Sequence, residues 1–206
     1  MAARRKMIQQ RAATECRPYS MSQPVVIGIG GFASNVGKTT LLCELLRAFP
    51  GWEAIKTTRG HYRSCGKDPH ACCVSHLLAA EPVIRSDRDG TYEPGKDTGR
   101  YWEAGASNVH WMIATDDQVE AGIKLALGQV KAEGVFVEGN SFARFVPVDF
   151  FIMVRRSDDN KIKKSAKQVL DHADAIYVSG ADPQDLESLI DRIRSVVEKE
   201  LSSAVA

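Results

Sequence analysis

Gly30-Gly31-Phe32-Ala33-Ser34-Asn35-Val36-Gly37-Lys38-Thr39-Thr40 decides the fold of this chain. It follows the apolar run Pro24-Val25-Val26-Ile27-Gly28-Ile29 and opens onto Thr39-Thr40-Leu41-Leu42-Cys43-Glu44-Leu45-Leu46. Strand, glycine loop and helix in that order define a phosphate-binding loop. Glycines let backbone N–H groups turn toward phosphate oxygens, and the helix N-terminus adds partial positive charge. Gly31, Ser34, Asn35, Val36, Gly37, Lys38, Thr39 and Thr40 are therefore the expected nucleotide-binding residues. Lys38 is expected on the terminal phosphates and the Thr39 hydroxyl on Mg²⁺. Counting back from Gly37, the usual first glycine position holds Phe32, so a loop starting at Gly31 is one residue longer than the common spacing.

Outward from the loop, strand and helix signals alternate, as in a parallel sheet covered by helices. Strands are expected at 52–56, 109–114, 134–138, 148–154 and 173–178, and helices at 71–80, 117–130, 160–170 and from 182 onward. The stretch 86–91 reads as turn chemistry. The expected fold is α/β, a three-layer P-loop NTPase with a mainly parallel sheet. Residues 23–206 form that domain, with an insertion at about 57–98 (boundaries read with). Long insertions between early strands lie at the carboxyl edge of such sheets, where ligands bind.

Composition narrows the partners. The 206 residues carry 27 basic and 26 acidic side chains, a net charge of +1, which gives no electrostatic reason for a nucleic acid or an anionic membrane surface. No apolar run approaches a membrane span. Residues 1–22 form a basic extension expected to be disordered, with Met21 as a possible internal start and organelle targeting as the other reading. Five cysteines, an odd number, without a secretory signal point to free thiols in a reducing, cytoplasmic setting.

Three further groups carry chemistry. Glu138 ends the strand Val135-Phe136-Val137 beside Gly139, where a carboxylate can hold Mg²⁺ or orient the attacking water. Lys56 leaves the second strand at its carboxyl end, toward phosphates or an anionic second substrate. Asp97 and Thr98 sit where a helix would begin, as capping residues or as metal and substrate contacts. With Lys38, Glu138 and Asp97 are the candidate catalytic residues. Separately, His61, Cys65, His70, Cys72, Cys73 and His76 crowd sixteen positions. Thiolate with imidazole suits Zn²⁺ or an iron–sulfur cluster, and Cys65, His70, Cys72 and Cys73 are the candidate ligands; there is no paired C-x2-C. The basic run 161–167 reads as a solvated face, with binding of an anionic pterin phosphate or of a partner enzyme as its other reading.

The loop, Lys56, the run Pro94-Gly95-Lys96-Asp97-Thr98 with Ala104-Gly105-Ala106 behind it, and Val137-Glu138-Gly139 occur in this order. Together they resemble the molybdopterin-guanine dinucleotide biosynthesis protein B family of GTP-binding proteins, over roughly residues 25–140. That resemblance implies a dimeric GTPase supporting molybdenum cofactor biosynthesis, with molybdopterin and a molybdenum-cofactor nucleotidyltransferase as partners. It places Gly37, Lys38, Thr39 and Thr40 on nucleotide and Mg²⁺, and Lys56, Asp97 and Glu138 along the site. The longer loop looks more like dethiobiotin synthetase, whose likeness implies an ATP-dependent ligase or kinase acting on a small acid. A third reading is a nucleotide-switched metal-binding chaperone using the Cys/His insertion. No Asn-Lys-x-Asp guanine-reading motif occurs, so GTP and ATP both stand, and base contacts are expected near Ser179-Gly180-Ala181-Asp182.

Overall fold

The computed structural model describes residues 23–60, 74–159, 161–180 and 182–204. Seven strands form one sheet: β1 (Val25–Gly31), β2 (Glu53–Arg59), β3 (Val83–Ser86), β4 (Val109–Ala114), β5 (Gly134–Glu138), β6 (Phe150–Arg156) and β7 (Ala175–Ser179). The helices are α1 (Lys38–Ala48), α2 (Asp87–Thr91), α3 (Asp97–Glu103), α4 (Val119–Leu127), α5 (Lys164–Lys167) and α6 (Pro183–Ala204). The order across the sheet is β3-β4-β2-β5-β1-β6-β7. All neighbours are parallel except the edge pair β3–β4.

A parallel sheet covered on both faces needs strands that are apolar throughout. β1, β5 and the first five residues of β6 are buried at every position. Alternation divides them between two cores. Ile27, Ile29, Phe136, Ile152 and Val154 pack under α1, α3 and α6. Val26, Val135, Val137, Phe151 and Met153 pack under α4, α5 and a 3-10 turn, Ser141–Arg144. The architecture is thus a three-layer α/β P-loop NTPase fold. β1 lies between β5 and β6, so the chain departs to opposite sides of it, and ligands bind in open sheets at such a switch point.

The alternation also explains Phe32. It continues the second-face series after Val26, Gly28 and Gly30, and its ring is buried in that core. Its N–H bonds Val154 O at 2.9 Å, extending the β1–β6 ladder by one residue. Phe32 therefore belongs to the strand side of the motif, and its apolar ring fills core space at the position where a glycine was expected.

Several expectations change. Residues 86–91 are not merely a turn: β3 ends at Ser86 and α2 follows, with Asp87 at φ 65°. In the stretch 71–80, the described residues make one 3-10 turn, Ser75–Leu77, instead of a helix. The basic stretch contains only α5 and a 3-10 turn, Leu170–His172, because Val169 leaves the helical region (φ -129°, ψ 4°). β2 runs past Lys56 to Arg59, paired with β4. No helix among the described residues is long and apolar enough to cross a membrane.

Candidate functional site

The loop between β1 and α1 is held in a shape that leaves its N–H groups open. Asn35 (φ 58°) and Gly37 (φ 96°) take left-handed backbone, which asparagine and glycine tolerate best. No side chain caps the N-terminus of α1, and its first turn contains no acid. Val36 is buried as the loop's anchor, whereas Ser34 and Asn35 are exposed at its tip. Gly31 is required for space, because a Cβ there would lie 2.8 Å from Lys38 Cδ and 2.9 Å from Val36 Cγ2. Its backbone is clamped from just beyond β5: Asn140 Oδ1 accepts from Gly31 N at 2.8 Å, and Asn140 Nδ2 donates to Gly31 O at 3.0 Å.

Four sequence-predicted residues from four elements meet beside this loop. Thr39 Oγ1, in the first turn of α1, lies 2.8 Å from Glu138 Oε2 and 3.1 Å from Asp97 Oδ1. Its single proton serves one of these carboxylates at a time. Lys56 Nζ bridges the far oxygens, 2.6 Å from Glu138 Oε1 and 2.5 Å from Asp97 Oδ2. Asp97 is the first residue of α3, and its carboxylate is spent on these partners and not on capping. Thr98 is buried behind it. The preceding turn depends on Gly95 at φ 77°, and a Cβ on Gly99 would collide with Glu93 O.

The charges tune one another. Burial favours neutral Lys56, but the Glu138 and Asp97 carboxylates outweigh it and raise its pKa above the ordinary lysine value. Burial likewise opposes ionised Asp97, yet the Lys56 ammonium holds its pKa below the usual carboxylate value. Lys38 is lowered, first by burial and then by Lys56, against the pull of Glu138. No carboxylate forms an ion pair with Lys38 among the described residues.

Sequence reading assigned no role to three residues that complete the site. Tyr101, fully buried on α3, donates its hydroxyl to Glu138 Oε2. Thr57 Oγ1 donates to the Glu138 carbonyl at 2.7 Å. Arg100 reaches from α3 to Thr40 Oγ1 at 3.2 Å. Tyr101 stands four residues after Asp97, so the two share one helix face; that spacing was the available signal. Gly139 is fixed by φ 151° and by Thr57, whose Oγ1 a Cβ would strike. The end of β7 also reaches the loop, where a Cβ on Gly37 would lie 2.9 Å from Ser179 Cβ.

The oxygens of Thr39, Glu138 and Asp97 suit a hard cation, and Mg²⁺ is usually held by one or two carboxylates together with substrate phosphates. Among the described residues, no three His, Cys, Asp or Glu side chains converge as an all-protein metal cage. The candidate ligands Cys65, His70, Cys72 and Cys73, along with His61, lie outside the described residues, as does the 1–22 extension.

No protein-family model matches the chain, and no curated protein matches its sequence. Among solved structures, the chain is similar to LpxK from Aquifex aeolicus, crystallised in complex with ATP. The identity is 18% and the TM-score 0.47, over 76% of this chain and 48% of that one. The chain thus spans about half the length of LpxK.

Proposed function

We propose that this protein binds a nucleoside triphosphate with Mg²⁺ and cleaves or transfers its terminal phosphoryl group. The observation carrying this reading is the meeting of Thr39, Glu138, Asp97 and Lys56 beside an uncapped helix N-terminus. The loop N–H groups and Lys38 would bind the phosphates. Thr39 and Glu138 would hold Mg²⁺, with Asp97 beside them, and the ion when bound supplies charge neutralisation at the phosphate oxygens. Glu138 is held by Tyr101 and Lys56, which keeps its carboxylate aimed. The attacking oxygen bonds to the terminal phosphorus as the bond to the bridging oxygen breaks, and the electron pair leaves with the nucleoside diphosphate. Lys38 would offset the charge on the transferred group, while Lys56, paired with both carboxylates, holds Glu138 and Asp97 in place.

The finer reading is a GTPase acting in molybdenum cofactor biosynthesis, as a dimer, in company with molybdopterin and its nucleotidyltransferase. It is supported by the ordered motifs from Gly31 to Gly139, in particular Pro94-Gly95-Lys96-Asp97-Thr98. A thermal-shift panel with Mg²⁺ and either GTP or ATP tests it. The finer reading expects stabilisation by GTP at concentrations where ATP gives none, as linkage requires of a selective ligand. Stabilisation by ATP alone would overturn it and leave the broader phosphoryl-transfer reading standing.

A further inference from the structure

The site contains one more half-buried cation, Lys163, from the basic run 161–167. Lys163 precedes α5, and its backbone is fixed on both sides. Its N–H bonds Phe32 O, at the start of the loop, at 2.8 Å; its carbonyl accepts from Ala166 N at 2.9 Å and from Lys167 N at 3.1 Å. The side chain therefore springs from a base tied to the phosphate loop itself. Ser165 and Ala166 beside it are buried, so this base is not a loose surface turn. Among the described residues the Lys163 ammonium has no carboxylate partner and no hydrogen bond.

The groups acting on Lys163 come from three elements. Lys38 of α1 and Arg59 and Lys56 of β2 repel its charge, and Glu138 of β5 attracts it. Two of the four are already neutralised: Lys56 by Glu138 and Asp97, and Arg59 by Asp116 at 2.7 Å. Among the described residues, Lys38 and Lys163 remain as two ammonium groups without a carboxylate partner. A half-buried, unpaired lysine is costly unless a ligand supplies the counter-charge. Burial first, and then Lys38, lower its pKa to about 8.

We propose that Lys163 is a second phosphate-binding cation, gripping the terminal phosphate of the bound nucleotide from the β6 side while Lys38 holds it from α1. The proposal rests on the nucleotide reading above and deepens it by dividing the work between two lysines. Lys38 serves the phosphates in common. Lys163 distinguishes triphosphate from diphosphate.

The test measures Kd for the β,γ-imido triphosphate and for the diphosphate, in the guanine and adenine series, with Mg²⁺ and the full-length protein. Lys163→Gln should weaken the triphosphate analogue about 10–100-fold, the range of a lost charge-assisted hydrogen bond. The diphosphate should change less than about 3-fold, since it lacks the contacted group. Lys163→Arg should restore most of the loss. If Gln impairs folding, Lys163→Met reads the same difference. Equal weakening of both nucleotides, or no change in either, overturns the proposal. A Lys38→Ala control separates the two readings. If it abolishes binding while Lys163→Gln changes nothing, only the Lys163 assignment fails. If Lys38→Ala also binds normally, the nucleotide reading fails with it.

Discussion

The Tyr101 hydroxyl donates to Glu138 Oε2, the same oxygen that accepts from Thr39 at 2.8 Å. One carboxylate thus joins α3, α1 and the end of β5, and through its other oxygen it reaches Lys56 on β2. Glu138 is 2% exposed, so each partner acts in a poorly screened environment. Tyr101, shielded by burial and faced by Glu138, has its pKa well above the ordinary phenol value and stays a proton donor.

Tyr101→Phe retains the buried ring and removes that donor. It should lower stability by about 1.5–3 kcal/mol, the worth of a hydrogen bond to a charged group. Nucleotide turnover should fall as well, with the loss expressed in kcat more than KM, because Glu138 is no longer aimed. Chemical denaturation and steady-state kinetics on the same preparation check both halves. Unchanged kcat would show that the contact serves folding alone.

Lys56→Met leaves Glu138 and Asp97 facing each other without their cation. A cost of about 3–5 kcal/mol at neutral pH is expected for breaking such a pair. The sign with pH is distinctive. Without Lys56, Asp97 loses the cation that holds its pKa low, so the folded state takes up its proton more readily and the deficit shrinks as pH falls. In the parent, Asp97 is depressed below 3.8, so its contribution is present above that value and is lost as pH drops through its folded pKa. Urea titrations at pH 7 and pH 5 should therefore show a smaller parent–variant gap at pH 5.

Lys163→Met should raise the stability of the nucleotide-free protein at pH 7, because it removes a half-buried charge. Below about 8 the parent carries that charge in both states and bears the whole penalty. Between about 8 and the ordinary 10.5, the folded state releases a proton that the unfolded chain keeps, so parent stability rises with pH. The difference in Tm between variant and parent should close over that window. A variant less stable than the parent at pH 7 would contradict the unpaired-charge account.

Asn140→Ala strands Gly31 N–H and C=O, both buried. With about 1–3 kcal/mol for each of the two unsatisfied groups, a loss of roughly 2–6 kcal/mol is expected. Because Gly31 begins the loop, nucleotide affinity should fall with stability. Isothermal titration at a temperature where the variant is fully folded separates the two effects.

How much was legible in the chain differs by element. β4 and β5 coincide with the expected strands because each is a dense apolar run bounded by turn residues, a signal that needs no partner. β3 was not legible. Val83-Ile84-Arg85-Ser86 is short and half-exposed, and it becomes a strand only because β4 offers an edge in antiparallel register. Phe32 looked like a departure from the motif until the two-face alternation of β1 placed its ring in the core. The site divides similarly. Lys38, Thr39, Lys56, Asp97 and Glu138 stood out by residue type at strand or helix ends, whereas Tyr101 and Asn140 join the site only through contacts made across the fold.

What the chain alone determined is local. A glycine loop between an apolar strand and a helix sets a phosphate-binding backbone, since the required φ angles and free N–H groups are properties of a few consecutive residues. What only the tertiary structure decided is which distant side chains converge on it. Thr39 and Glu138 are 99 positions apart, Gly31 and Asn140 are 109 apart, and Lys163 reaches the loop through Phe32 O. Such contacts arise from strand order, which places β5 and β6 on either side of β1. Strand order is set by burying both faces of the sheet together, a condition on the whole chain that no short segment records.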